Sequence, residues 1–191
     1  MQNIVIMGLG NLLYGDEGFG VHAVALLART WDFPAHVQLI DGGTQGHSLL
    51  TFVEEADKLL VLDTVDFGQA AGSLSVRKDA EIPAYLTAQK ISPHQNSFSE
   101  VLALAELRGH LPTEIVLIGV HPVSLTMGAP LTPPVEKQLP AVLQLTLNQL
   151  QAWGVRVQSS VQPSSLYHPE LAHLRKSFIM PKKISPLAKP R

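Results

Sequence analysis

Two stretches of this chain, Ile4-Val5-Ile6-Met7 and Leu59-Leu60-Val61-Leu62, are apolar at every position. Successive side chains of a strand point to opposite faces, so a strand without polar positions must be covered on both sides. That is the pattern of a parallel sheet between two layers of helices. Asn3–Leu9, Val37–Ile40, Lys58–Asp63 and Glu114–Val120 read as strands. Leu74–Arg77 follows the turn-like segment Gly68–Gly72 and reads as a hairpin or edge strand. Between them lie helical patterns. Phe19–Thr30 places Val21, Val24, Ala25, Leu27 and Ala28 on one face, and Ser48–Glu55 reads as a short helix. Phe98–Leu107 turns Val101, Leu102, Leu104 and Ala105 inward. Val135–Trp153 closes the body with Leu139, Val142, Leu143, Leu147 and Leu150 inward; Pro133 and Pro134 punctuate its start, and Pro140 kinks it or marks a short break. The expected fold class is α/β: a three-layer sandwich with a mainly parallel, twisted sheet of about five strands flanked by helices.

Sites in such sheets form outside the carboxyl ends of the strands. Polar residues fall there. Glu17 follows the first strand through a Gly-rich turn, Asp41 ends the second, Asp63 closes the third and His121 follows the last. His94 lies in the loop Ser92-Pro93-His94-Gln95. Two carboxylates and an imidazole, Glu17, Asp63 and His94, suit a divalent ion such as nickel, zinc or manganese, with positions left open. Each also has a plainer reading. Asp16 and Glu17 precede a helix, where a carboxylate complements the dipole for about 0.3–1 kcal/mol. Asp63 and Asp66 suit turns, and Asp41 suits the amides of its Gly-Gly turn. His94 suits a loop histidine bonded to backbone. His22, His36, His47 and His110 read as residues on helix faces or at strand edges without catalytic work, and His121, near the rim, as structural. Spacing alone does not bring the three candidates together; the topology gives the reason to expect it.

Other chemistries fail on the residues. Gly8-Leu9-Gly10 after a strand invites a dinucleotide reading, but the third glycine of that fingerprint is replaced by Leu13. No phosphate-binding Gly-Lys-Ser/Thr follows, and neither Gly-x-Ser-x-Gly nor His-Glu-x-x-His occurs. The glycines read instead as a turn that lets backbone approach a site closely. Gly42–Gly46 is a second flexible loop on the same rim, suited to admit an extended peptide or simply to connect strand and helix. The absence of cysteine excludes disulfides, thiolate metal sites and thiol nucleophiles. A chain of 191 residues, 46% hydrophobic and 16% charged, fits one globular domain. No signal-peptide pattern and no run of the ~18–20 apolar residues needed to span a bilayer are visible. A cytoplasmic monomer with no nucleic-acid or membrane partner is expected.

Charge divides the chain near Gly154. Residues 1–154 carry fifteen acidic and seven basic side chains, a balance of −8, whereas residues 155–191 carry seven basic and one acidic, a balance of +6. Residues 1–154 are therefore expected to form the domain, and residues 155–191 a basic, Pro-rich, flexible extension. Pro169–Phe178 is compatible with one short helix. The extension reads first as a solvated arm, and otherwise as one that docks on an acidic surface.

Four blocks occur in order: Gly8-Leu9-Gly10-Asn11-Leu12-Leu13-Tyr14-Gly15-Asp16-Glu17-Gly18-Phe19-Gly20, Asp41-Gly42-Gly43-Thr44-Gln45-Gly46, Leu62-Asp63-Thr64-Val65-Asp66 and Ser92-Pro93-His94-Gln95. Over residues 1–154 this pattern closely resembles the nickel–iron hydrogenase maturation endopeptidases, and within them the proteases serving uptake hydrogenases. The resemblance implies removal of a C-terminal peptide from the nickel-loaded precursor of the hydrogenase large subunit. It assigns metal contact and catalysis to Glu17, Asp63 and His94, with Asp41 secondary, and makes the substrate's nickel the relevant ion, other divalent ions being able to occupy the site. The alternatives are a non-catalytic nickel-handling assembly factor, a zinc-dependent peptide hydrolase and, more distantly, a dinucleotide-binding enzyme.

Overall fold

The structure is a computed structural model that describes residues 2–81 and 93–160; residues 1, 82–92 and 161–191, and the side chains at 80 and 93–97, lie outside the described set. The strands are β1 (Ile4–Leu9), β2 (Trp31–Asp32), β3 (Val37–Gly43), β4 (Lys58–Thr64), β5 (Leu74–Lys78), β6 (Glu114–Val120) and β7 (Gln158–Ser159). The helices are α1 (Phe19–Thr30), α2 (Leu50–Glu54), α3 (Pro93–Leu107), α4 (Pro133–Glu136) and α5 (Leu139–Ala152).

Five strands form one sheet in the order β3-β1-β4-β6-β5. The first four are parallel and β5 is antiparallel to β6, so the sheet is mixed but mainly parallel, as the apolar runs predict. Ile4 pairs with both Val37 and Lys58, and Lys58 pairs with Glu114. The parallel strands therefore start level and finish on one rim.

The period of two sorts their side chains into two cores. Ile4, Ile6, Leu60, Leu62, Val116 and Ile118 pack beneath α1 and α5; Val5, Met7, Leu59, Val61, Ile115 and Leu117 pack beneath α2 and α3. β1, β4 and β6 are thus covered on both faces, and all six residues of β1 are buried.

Several elements depart from the sequence expectation. The closing helix is two helices, α4 and α5, with Pro140 in the first turn of α5, where its missing N–H costs no hydrogen bond. All five residues expected inward on α5 are buried. In α1, Ala25 and Ala28 are only partly buried, and Ala23 and Leu26 take the core positions beside Val21, Val24 and Leu27. The helix is held between the sheet and α5, which widens its buried face. β3 runs past Ile40 to Gly43, so Asp41 lies inside a strand, opposite Gly8. Past Gly154 the chain continues into the body: Val155 is buried, and β7 pairs with β2 in a two-stranded antiparallel ribbon.

Charge at the amino edge of the sheet is structural. Lys58 is buried, forms an ion pair with Glu114, and lies 5.5 Å from the Trp153 ring centroid. Trp153 Nε1 also donates to Glu114 at 2.8 Å. These bonds, that from Lys58 foremost, hold the Glu114 carboxyl below its usual range.

Candidate active site

The Gly-rich turn after β1 is built around two glycines. Gly10 adopts φ +125°, and a β-carbon there would run into the Glu17 carbonyl oxygen. Its N–H donates to Gly43 O at 3.0 Å, which ties the turn to the end of β3. The turn then closes through a 3-10 segment, Gly15–Gly18, and Glu17 within it is buried. Gly20, in the first turn of α1, lies so closely against the sheet that a β-carbon would strike the carbonyl oxygens of both Leu9 and Leu62. The first turn of α1 therefore rests between the carboxyl ends of β1 and β4.

Asp63 lies at the end of β4 with no exposed surface, and one of its carboxylate oxygens accepts the N–H of Thr64 at 2.7 Å. Thr64 Oγ1 donates to the carbonyl of Asp16 at 2.7 Å. The residue after Asp63 is thus bonded directly to the residue before Glu17. Two buried acids that stand far apart in sequence sit on adjoining backbone at the rim. Asp41 is half-buried on the other side of β1, and its carbonyl accepts a 3.3 Å bond from Gln45 Nε2. None of Glu17, Asp41 and Asp63 is without a partner.

Residue 94 does not lie in a loop: α3 begins at Pro93, so position 94 falls in its first turn. The His94 side chain lies outside the described residues. The helix still has a defined direction. His47, in the turn after β3, lies 3.7 Å from Glu100 of α3, whereas the residues after α3 lead to Thr113, whose N–H bonds Asp57 O ahead of β4. α3 consequently starts on the carboxyl side of the sheet and runs back to the amino side. It covers the face to which Leu59, Val61 and Val65 belong, the face that Asp63 shares by parity.

Asp16 has a role that the sequence did not disclose. Its carboxylate, fully buried, accepts bonds from Val123 N, Ser124 N and Thr132 Oγ1, each at 2.9 Å, and from Thr132 N at 2.6 Å. No side-chain bond caps α1. Asp16 instead fastens the loop after β6 to the Gly-rich turn. The adjacent acidic pair in a glycine turn was the visible signal; its partner loop was not. Asp66 does take turn chemistry, accepting Gly68 N–H at 2.7 Å, and also lies 3.3 Å from His121 Nδ1. His22, in the first turn of α1, is held neutral: burial lowers its pKa to about 4.

Among the described residues no three His, Asp or Glu side chains form a metal-binding group, and no helix is long and apolar enough to cross a membrane. Two buried carboxylates at the carboxyl ends of the strands nonetheless suit general-base chemistry or an open metal site.

Comparison with known proteins places the chain in a family. The family model described as hydrogenase maturation protease matches residues 21–149. The hydrogenase expression/formation protein HupD of Rhodobacter capsulatus is 43% identical over 173 residues, 90% of this chain and 82% of that protein. The hydrogenase 2 maturation protease of Escherichia coli is 37% identical over 155 residues, 81% of this chain and 94% of that protein. The solved structure of the hydrogenase maturating endopeptidase HybD from E. coli superposes with a TM-score of 0.79 at 36% identity, covering 83% of this chain and 98% of that one. With its five-stranded, mainly parallel sheet and its flanking helices, this chain belongs to the hydrogenase maturation protease family and is an endopeptidase.

Proposed function

We propose that the protein removes a C-terminal peptide from the precursor of a nickel–iron hydrogenase large subunit, and that it recognises the precursor through the nickel already bound there. In this reading Glu17, Asp63 and His94 engage the substrate's nickel, which docks the scissile bond at the rim. The ion is cargo of the substrate. It polarises the scissile carbonyl or the attacking water. One carboxylate takes the proton of that water as its oxygen adds to the carbonyl carbon; the C–N bond then breaks and the proton passes to the departing amine. The glycine loop 42–46, with Asp41 at its start, guides the precursor strand. The reaction is assigned to the cytoplasm and to a monomer.

One observation supports this reading most: the bond from Thr64 Oγ1 to Asp16 O, which joins the side chain of the residue after Asp63 to the backbone of the residue before Glu17. Both acids are buried, and they lie at the carboxyl-end rim of the sheet, where sites form in open α/β folds. The test is incubation of purified protein with nickel-loaded precursor. Wild type is expected to shorten the precursor. Glu17→Gln, Asp63→Asn and His94→Gln are each expected to slow processing by roughly 100-fold or more. Normal processing by all three variants would refute the assignment, and a precursor that binds wild type but is never cut would favour an assembly factor.

A further inference from the structure

A hollow of about 610 Å³ opens beside the Gly-rich turn, bounded by the first turn of α1 and the segment leading into α4. Leu12, Leu13, Pro130 and Leu131 give it an apolar lining, with His22 and Glu136 as its polar members. Gly15, which opens the turn carrying Glu17, forms part of the same wall. Both lips are fixed. Gly128 N–H bonds Leu13 O at 2.7 Å, and the Asp16 carboxylate holds Thr132. Leu13 is 61% exposed, and Met127, just before the lining residue Gly128, is 66% exposed. Large apolar side chains kept in water on rigid loops mark a contact surface. The lowered His22 pKa leaves its imidazole uncharged near neutrality, which suits an apolar guest.

We propose that this hollow is a specificity subsite that receives an apolar side chain of the precursor polypeptide close to the bond that is cut. The proposal rests on the function argued above. The precursor is the occupant because Gly15, in the wall of the hollow, opens the turn that carries Glu17 two residues on, which sets the hollow next to the carboxylate assigned to the cut. Its volume falls in the range of small-ligand sites, enough for peptide side chains.

The experiment uses full-length protein and nickel-loaded precursor. Wild type is compared with Leu13→Asp, which charges the exposed lip, and Ala129→Trp, which fills the hollow. Each is measured for KM, for the single-turnover rate at saturation and for its unfolding midpoint. Both variants are expected to raise KM roughly 10-fold or more while leaving the saturated rate and the midpoint unchanged. Precursors with the apolar residues flanking the cut changed singly to Asp are expected to show a matching loss on wild type at one position, and little additional loss on Leu13→Asp. Unchanged KM in both variants would overturn the subsite, as would losses that simply add for every precursor. So would a wild-type dimer that Leu13→Asp dissociates with processing intact, since the hollow would then belong to a second copy. If wild type cuts no precursor at all, the parent reading fails and the subsite with it, an outcome distinct from failure in the variants alone.

Discussion

At Asp16 a fully buried carboxylate accepts bonds from two backbone segments of a loop far along the chain. Bonds to a charged acceptor are worth more than neutral ones, and losing the acceptor strands several buried donors. Asp16→Ala is expected to lower unfolding stability by about 2–4 kcal/mol in urea titrations. Glu17→Gln, one residue away, is expected to leave that stability within about 1 kcal/mol while slowing processing by the roughly 100-fold or more given above. Equal stability losses in the two would remove the distinction between them. His22 makes a prediction in pH. Its folded pKa, about 4, lies below the ordinary value of 6.5, so between these values the unfolded chain binds the extra proton. Its contribution is fully present above about pH 6.5 and is lost as pH falls towards 4, amounting to about 1–3 kcal/mol. Unfolding of His22→Gln measured across that window should lose less stability on acidification than wild type.

The elements show what a sequence discloses and what it withholds. β1 and β4 were legible because unbroken apolar runs have one physical explanation, burial on both faces. α5 was legible because its apolar residues keep helical spacing. β2 and β7 were not, since a two-residue strand has no period to read. α1 misled because a helix gripped between sheet and α5 buries more than one stripe, and Ala25 and Ala28 gave way to Ala23 and Leu26. The placement of α1 depends on close backbone contact at Gly20. Gly20→Ala is expected to push the helix off β1 and β4 and to cost about 1–3 kcal/mol or more, with reduced processing because Glu17 moves with it. An unchanged Tm would show that the contact is relaxed without effect. At the other end of the sheet Glu114 is held low by Lys58, then by Trp153. A carboxyl with a depressed folded pKa stabilises above its unfolded value and loses that contribution as pH falls through the folded one. Glu114→Gln should therefore flatten the acid limb of the stability profile below about pH 4.5.

For the whole molecule, the decisive fact is that four parallel strands start level, so their carboxyl ends share a rim. Glu17, Asp41 and Asp63 were legible as rim residues because each ends or follows a stretch that reads as a strand. Their mutual placement was not legible, since the Thr64–Asp16 bond links residues 48 apart in sequence. Nor was the latch at Asp16, whose partners lie beyond β6. The proposed recognition requires the substrate's nickel to meet the rim at Glu17, Asp63 and His94. The most direct test is a processing assay that gives wild-type protein the same precursor with and without nickel. Prompt shortening of the loaded form, with the nickel-free form left intact, is predicted. Equal cutting of both forms would contradict it.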